Sequence, residues 1–407
     1  MISLQQGLEN PRTKITLLED TNLARTSLPT YNSYLKVFFR WSDISGVVEF
    51  LKVSDTDLQS LMDMYVKHLR KRVLANEISP NTVPKQFKPM RKLLDVNYRE
   101  HAVSWKPVYA QFPPEEKLSG YKPWETTKID TMLDSCINHR ETAVIHYHAS
   151  TGSRVGVHNH PLLMKHMIAM LDPNDEKCYA FLIYAESDET ISEKDTRSDS
   201  QIIDENDYSH FVFTSPEATM AIDNYHAFRK KRGEIFDENT PIFLSLRVDK
   251  DGKYFQMTGN GFQKTMQRIL GRTSITRIKK RNRFDVQIDH GFRKRFNTIL
   301  KLDSEVNSNI AEKLMQHKKG LDGTYLTPTR QECFKEFVKA IDQLTISTKE
   351  RQRRQLKMQQ AKISELEAKE KKIDELSEKM RDLQSNGPMT DEIKNYINQL
   401  VMKKTNS

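Results

Sequence analysis

The stretch from Trp105 to Trp124, WKPVYAQFPPEEKLSGYKPW, carries Pro107, Pro113, Pro114 and Pro123 and has little apolar periodicity. Proline fixes its own φ, gives up its N–H and disfavours a helical residue before it. The stretch therefore predicts a boundary, with separately packed regions on either side. At 407 residues the chain is long enough for two or three such regions. The boundaries read as a loose polar arm over 1–26, a helical region over 27–115, a mixed region over 120–347 and a helical extension over 348–407.

Before the boundary the pattern is helical. SDTDLQSLMDMYVKHLRKRV starts on a Ser/Asp cap and places Leu58, Leu61, Met62, Tyr65 and Leu69 on one face, with Lys67, Arg70, Lys71 and Arg72 elsewhere. SPNTVPKQFKPMRKLLDVN opens on a cap and a proline, then aligns Phe87, Met90 and Leu93. After the boundary, a helix or helix pair runs to Thr151-Gly152-Ser153-Arg154. CYAFLIYAE and HFVFTS read as short strands joined by an acidic segment, and SPEATMAIDNYHAFRKKRG returns to helix. The remainder to about Leu344 reads as mainly helical. The fold class expected is mainly α with a small β-sheet or hairpin, an α+β arrangement.

From Thr348 to Ser385 the chain is charged and Gln-rich, with Leu366, Ile373 and Met380 seven apart and Leu376 and Leu383 in a second, partial seam. Lys369 interrupts the seam, so the segment is either a short, imperfect coiled coil or a single helix laced by charge pairs. Asn386-Gly387-Pro388 breaks it. A final amphipathic helix follows, with Ile393, Tyr396, Ile397 and Leu400 on one face.

Lys and Arg total 64 against 55 Asp and Glu, a net charge of +9. That excess favours a polyanionic partner. No run approaches the roughly 18 apolar residues of a spanning helix, and MISLQQGLENPRTK lacks the apolar core of a signal peptide. Cys136, Cys178 and Cys333 are scattered, which suits a reducing compartment and neither a disulfide framework nor a zinc knuckle. The expectation is a soluble cytoplasmic protein, associated with the nucleoid, that meets DNA and no membrane. His146, His148, His158, His160 and His166 raise a zinc reading, but no Cys or acidic cluster beside them completes a site. No phosphate-binding glycine loop is present, so no cofactor is expected.

Three pieces carry chemistry together: ASTGSRVGVHNH with Arg154, IDHGFRKRF with His290 and Arg293 one helical turn apart, and LMQHKKGLDGTYLTPT with His317 and Tyr325. In this order and grouping they resemble the tyrosine recombinase (phage integrase) family, whose pattern is Arg, Lys, His-x-x-Arg, His or Trp, then Tyr. The resemblance covers nearly the whole chain, and the HKKGLDGTYL-x-PT run is most similar to archaeal integrases. It implies a helical core-binding domain that clamps DNA and a catalytic domain that breaks and rejoins strands without metal or ATP.

By that resemblance Tyr325 is the nucleophile that forms a 3′-phosphotyrosyl link. Arg154 and Arg293 clamp the phosphate, His290 accepts the proton and His317 hydrogen-bonds the scissile phosphate. The family's lysine sits on a hairpin between the first arginine and His-x-x-Arg and protonates the leaving oxygen. Lys194 is the one lysine between Lys177 and Lys230 and takes that place, with Arg197 as a fallback charge. Two positions depart from the family: Val157 stands where an acidic residue is common, and Gln316 where glycine usually precedes the second histidine. Arg229 to Arg232 and Arg277 to Arg283 are candidates for DNA-backbone contacts. Strand exchange joins two duplexes, so four identical protomers are expected on paired sites. A type IB topoisomerase, which relaxes DNA without recombinants, and a non-catalytic architectural DNA-binding protein remain alternatives.

Overall fold

The structure, a computed structural model, describes residues 15–21, 23, 27–116, 120, 122–184, 211–248, 250–252, 254–280, 283–303, 305–317 and 328–385. Lys194, Arg197, Tyr325 and the final amphipathic stretch lie outside the described residues. The described chain is mostly helical with small antiparallel sheets, as the sequence leads one to expect. Among the described residues no helix is long and apolar enough to cross a membrane.

The chain begins with α1 (Leu28–Ser42), α2 (Val47–Lys52), α3 (Asp55–Leu74), α4 (Val83–Val96) and α5 (Trp105–Ala110). Ser54 caps α3 by accepting from Asp57 N, while Asp55 and Asp57 in the first turn and Lys71 and Arg72 in the last oppose the helix dipole. Leu58, Met62, Tyr65 and Leu69 are buried, and Leu61 packs partly buried against the same cluster with Phe87, Met90 and Leu93 of α4. Tyr65 Oη donates to Gln86 Oε1 at 2.5 Å, so the one polar atom on this face has a partner inside. Leu18, within the stretch read as a loose arm, is also buried here, and Thr16 exchanges hydrogen bonds with the Asn97 side chain. The proline-rich stretch is helical at its start, where α5 holds Pro107 in its first turn, the one place that tolerates a missing N–H.

Next come α6 (Thr126–Asp134), α7 (His139–Thr151), β1 (Met167–Leu171), β2 (Lys177–Leu182), β3 (Phe211–Phe213) and α8 (Pro216–Lys231). The three strands form one sheet in chain order, with β2 and β3 antiparallel through Ala180–Phe213 and Leu182–Phe211. Helix α7 is buried on nearly every side and forms the middle of a cluster with Phe181, Phe243, Phe262 and Phe292. Burial all round also explains why its sequence shows no single apolar face.

Two hairpins then depart from the mainly helical reading. They are β4 (Leu244–Val248) with β5 (Tyr254–Gln256), and β6 (Lys279–Lys280) with β7 (Arg283–Phe284), on either side of α9 (Gly259–Gly271). Gly252 turns the first of them at φ +77. Helices α10 (Ile288–Thr298), α11 (Ser308–Leu314), α12 (Arg330–Val338) and α13 (Ile341–Leu344) close a third cluster, with Phe296, Leu314, Phe334 and Phe337 packed together with Phe213.

By its contacts the chain divides into two units. One is 1–170 with 177–346; the other is 171–176 with 347–407. In the second unit α14 (Thr348–Ser385) is one long helix held at its start. Arg354 is buried against Asp172 at 2.9 Å and against Glu176, Arg353 meets Glu176 at 2.8 Å, and Lys357 Nζ donates to Asn174 O at 2.6 Å. Leu366, Ile373, Leu376 and Met380 are all exposed.

Candidate active site

The site grows from the end of α7. Gly152 terminates that helix in the left-handed region at φ +58, and a Cβ there would lie 2.5 Å from the Phe296 ring. Glycine is thus required both for the turn and for the close approach of α10. That approach brings Arg293 to the same turn. Its Nη1 donates to Gly152 O at 2.9 Å and its Nη2 to Met315 O, so one guanidinium ties α7 to the segment after α11. Arg154, two residues past Gly152, is exposed, and its Nη1 donates to Gln316 O at 3.4 Å.

Arg293 is buried and lies near the charge of Arg154. Burial first, and then that neighbouring charge, push its guanidinium down to about 10. It stays fully charged at neutral pH. Two guanidinium groups held this close repel, and the arrangement is suited to an anion that would sit between them.

The second histidine follows on the same segment. Gln316 sits at φ +51, a left-handed conformation that glycine adopts without strain. It turns the chain so that His317 N donates to Glu312 O at 3.0 Å and Nδ1 meets Glu312 Oε2 at 2.8 Å. The other carboxylate oxygen of Glu312 is paired with Lys301, from the π-helical turn Ile299–Asp303 after α10. Sequence reading missed Glu312, which looks like any solvated charge on a helix, although its residue is 8% exposed.

His290 sits in the first turn of α10 with its side chain 54% exposed, and its near charge is Asp289 at 4.0 Å. Trp124 packs where Gly291 would carry a Cβ, 2.5 Å away, and its Nε1 donates to Ile288 O at 3.0 Å. These contacts fix the start of α10. Val157, at the position often acidic in the resembled family, is buried in the apolar cluster. Tyr184 lies beside the Arg154 turn, with its ring edge-on to His160 at 5.0 Å and its backbone at φ +56. Arg154, Arg293 and His317 are therefore brought together, His290 lies one turn from Arg293, and Lys194 and Tyr325 fall outside the described residues.

The histidines once open to a metal reading have other partners. Nε2 of His148 faces Nε2 of His158 at 2.8 Å in an aromatic surround. Burial holds His148 well below the usual range and His158 down to about 4, so the pair is neutral and one ring donates to the other. His166 Nδ1 accepts from Leu163 N at 3.2 Å. No group of three metal-ligating side chains occurs among the described residues. The basic runs divide as well. Lys230, Lys231 and Arg232 are exposed, but Arg229 is buried and its guanidinium is taken up by Glu234, Pro241 O and Ile242 O. Arg229 is a structural cation and not a DNA contact.

No family model and no curated protein sequence matches the chain. The chain is similar to the solved crystal structure of XerA recombinase, with a TM-score of 0.32 and 13% identity, across 77% of this chain and 91% of that one. It is also similar to the Tn1549 transposon integrase in complex with circular intermediate DNA, with a TM-score of 0.41 and 11% identity, across 69% of this chain and 84% of that one. At this distance neither likeness bears on chemistry.

Proposed function

We propose that the protein is a site-specific DNA recombinase that cleaves and rejoins strands through a 3′-phosphotyrosyl intermediate. The observation that carries this reading is the convergence of Arg154 and Arg293, from two distant stretches, on the main chain of Met315 and Gln316 immediately before His317. A phosphodiester is anionic, and its transition state gathers charge on the non-bridging oxygens. Permanently charged, planar donors match those oxygens, and fixed donors need no reorganisation as the charge develops.

In this reading Tyr325 attacks phosphorus, Lys194 protonates the leaving 5′-oxygen, and the covalent link keeps the bond energy for religation without ATP. The exposed Lys230, Lys231, Arg232, Lys279 and Arg283 support contacts to the DNA backbone. Four protomers would act on two paired sites.

A duplex nicked next to the scissile phosphate traps the intermediate, because the short downstream fragment that carries the freed 5′-hydroxyl diffuses away. The intact protein is expected to form a covalent adduct on its site, and Tyr325→Phe to bind the same DNA without one. An adduct with the Phe variant would remove Tyr325 from the role. Relaxed circles without recombinants or a four-way junction would favour the topoisomerase alternative.

A further inference from the structure

Arg293 does not offer its whole fork to an anion. Its Nη1 donates to Gly152 O and its Nη2 to Met315 O, so part of the guanidinium holds the chain together. Arg154 spends a bond on Gln316 O. The two non-bridging oxygens of a phosphodiester can each accept more than one hydrogen bond, which leaves room for a further donor.

Tyr184 stands beside this place. Strand β2 ends at Leu182, and two residues on the chain turns left-handed at φ +56. A bulky side chain seldom adopts that backbone, which costs strain. The turn lays the ring against the segment that follows α7. A Cβ on Gly156, two residues past Arg154, would lie 3.7 Å from Tyr184 Oη, and the ring meets His160 edge-on at 5.0 Å. Arg293 also feels this side chain: burial first and then Arg154 lower its guanidinium, and Tyr184 acts in the opposite sense. Tyr147, near the same turn, is fully buried with its Oη 3.4 Å from Ser153 Oγ, whereas Tyr184 is half-buried.

Resting on the strand-cleavage reading, we infer that the Tyr184 hydroxyl donates to a non-bridging oxygen of the scissile phosphate held by Arg154 and Arg293. The arginines supply the charge. A neutral phenol adds a directed donor without adding to the repulsion between the two guanidinium groups, and its contact with His160 limits how far the ring must turn as charge develops.

The test uses the full-length protein and a nicked duplex selected from a random-sequence pool by covalent capture. Tyr184→Phe keeps the ring and its packing. It should bind that duplex as the intact protein does and form the adduct about tenfold more slowly or worse, the loss of one fixed donor. Replacing one non-bridging oxygen by sulfur, a poor acceptor, separates contact from support. The Phe penalty should persist on one phosphorothioate diastereomer and shrink on the other, where the partner of the hydroxyl is already impaired. Equal rates for the two proteins on the phosphodiester overturn the inference. So does the same penalty on all three duplexes, which would make Tyr184 a support for the turn. Should the Phe variant fail to fold, 3-fluorotyrosine at position 184 keeps the hydroxyl and makes its proton more acidic. A changed rate that reverts on one diastereomer then sustains the contact, and an unchanged rate on every duplex overturns it. A pool from which the intact protein captures nothing overturns the strand-cleavage reading, and the contact falls with it.

Discussion

Arg154 Nη1 donates to the carbonyl oxygen of Gln316 at 3.4 Å, and Gln316 presents that carbonyl from a left-handed backbone at φ +51. A residue with a Cβ loses about 1–2 kcal/mol in that conformation. Gln316 Nε2 donates to Leu314 O, but Oε1 is buried without a hydrogen-bond partner among the described residues. Gln316→Gly should relieve the strain and the orphaned oxygen, against a glycine entropy cost of about 0.5–1 kcal/mol. The expected net is a gain of about 1 kcal/mol in denaturant unfolding, with adduct formation retained. A loss of that size instead would show that the Gln316 side chain contributes more than its strain.

The two arginines should separate chemistry from stability. Arg154 is exposed, so Arg154→Ala should change stability by less than about 0.5 kcal/mol. Arg293→Ala leaves the carbonyls of Gly152 and Met315 without their buried donor, at a cost of about 2 kcal/mol or more. Both should slow adduct formation by about 100-fold or more, since each removes a fixed charge from the phosphate. Calorimetry and single-turnover trapping on the same samples check the split. A normal adduct rate in Arg154→Ala would leave Arg154 outside the chemistry.

Acid should loosen the fold before it titrates most carboxylates. Burial lowers His158, His166 and His226 from 6.5 to about 4. The unfolded chain therefore binds more protons between those values, so stability is complete above about pH 6.5 and falls as pH drops toward 4. Melting temperature should decline through that window. His166→Asn keeps an acceptor for Leu163 N and cannot charge, so its decline should be shallower. Parallel curves for the two proteins would remove His166 from the effect.

Local rules carry far along this chain where capping and periodicity agree. Ser54 with Leu58, Met62, Tyr65 and Leu69 marks α3, and Ser215-Pro216 marks α8, because each cap reports a bond that the backbone makes nearby. The β4–β5 hairpin is harder to see, since Leu246, Val248, Tyr254 and Phe255 are all exposed and show no clean alternation. Arg229 reads as a surface cation by its neighbours Lys230 and Lys231, yet partners as distant as Pro241 and Ile242 decide its burial. Glu312 is illegible for the same reason. Its role depends on a left-handed turn at Gln316 that composition does not signal.

The long helix α14 poses the last test. Its first turns are held by Arg353, Arg354 and Lys357, and Arg354 is a buried cation between two carboxylates. Farther on, Leu366, Ile373, Leu376 and Met380 stand in water, where they contribute nothing to the stability of this chain. A helix of this length needs either packing or many charge pairs to persist, and Lys369 with Glu365 at 2.6 Å is one such pair. Ending the chain after Met358 keeps the Arg354 clasp and removes the apolar seam. Cleavage at a single nicked site should be unchanged in that variant, while assembly on paired sites and strand exchange should fall. Sedimentation of both proteins on paired sites measures it. Equal assembly would make the exposed seam a solvated face, with no part in joining protomers.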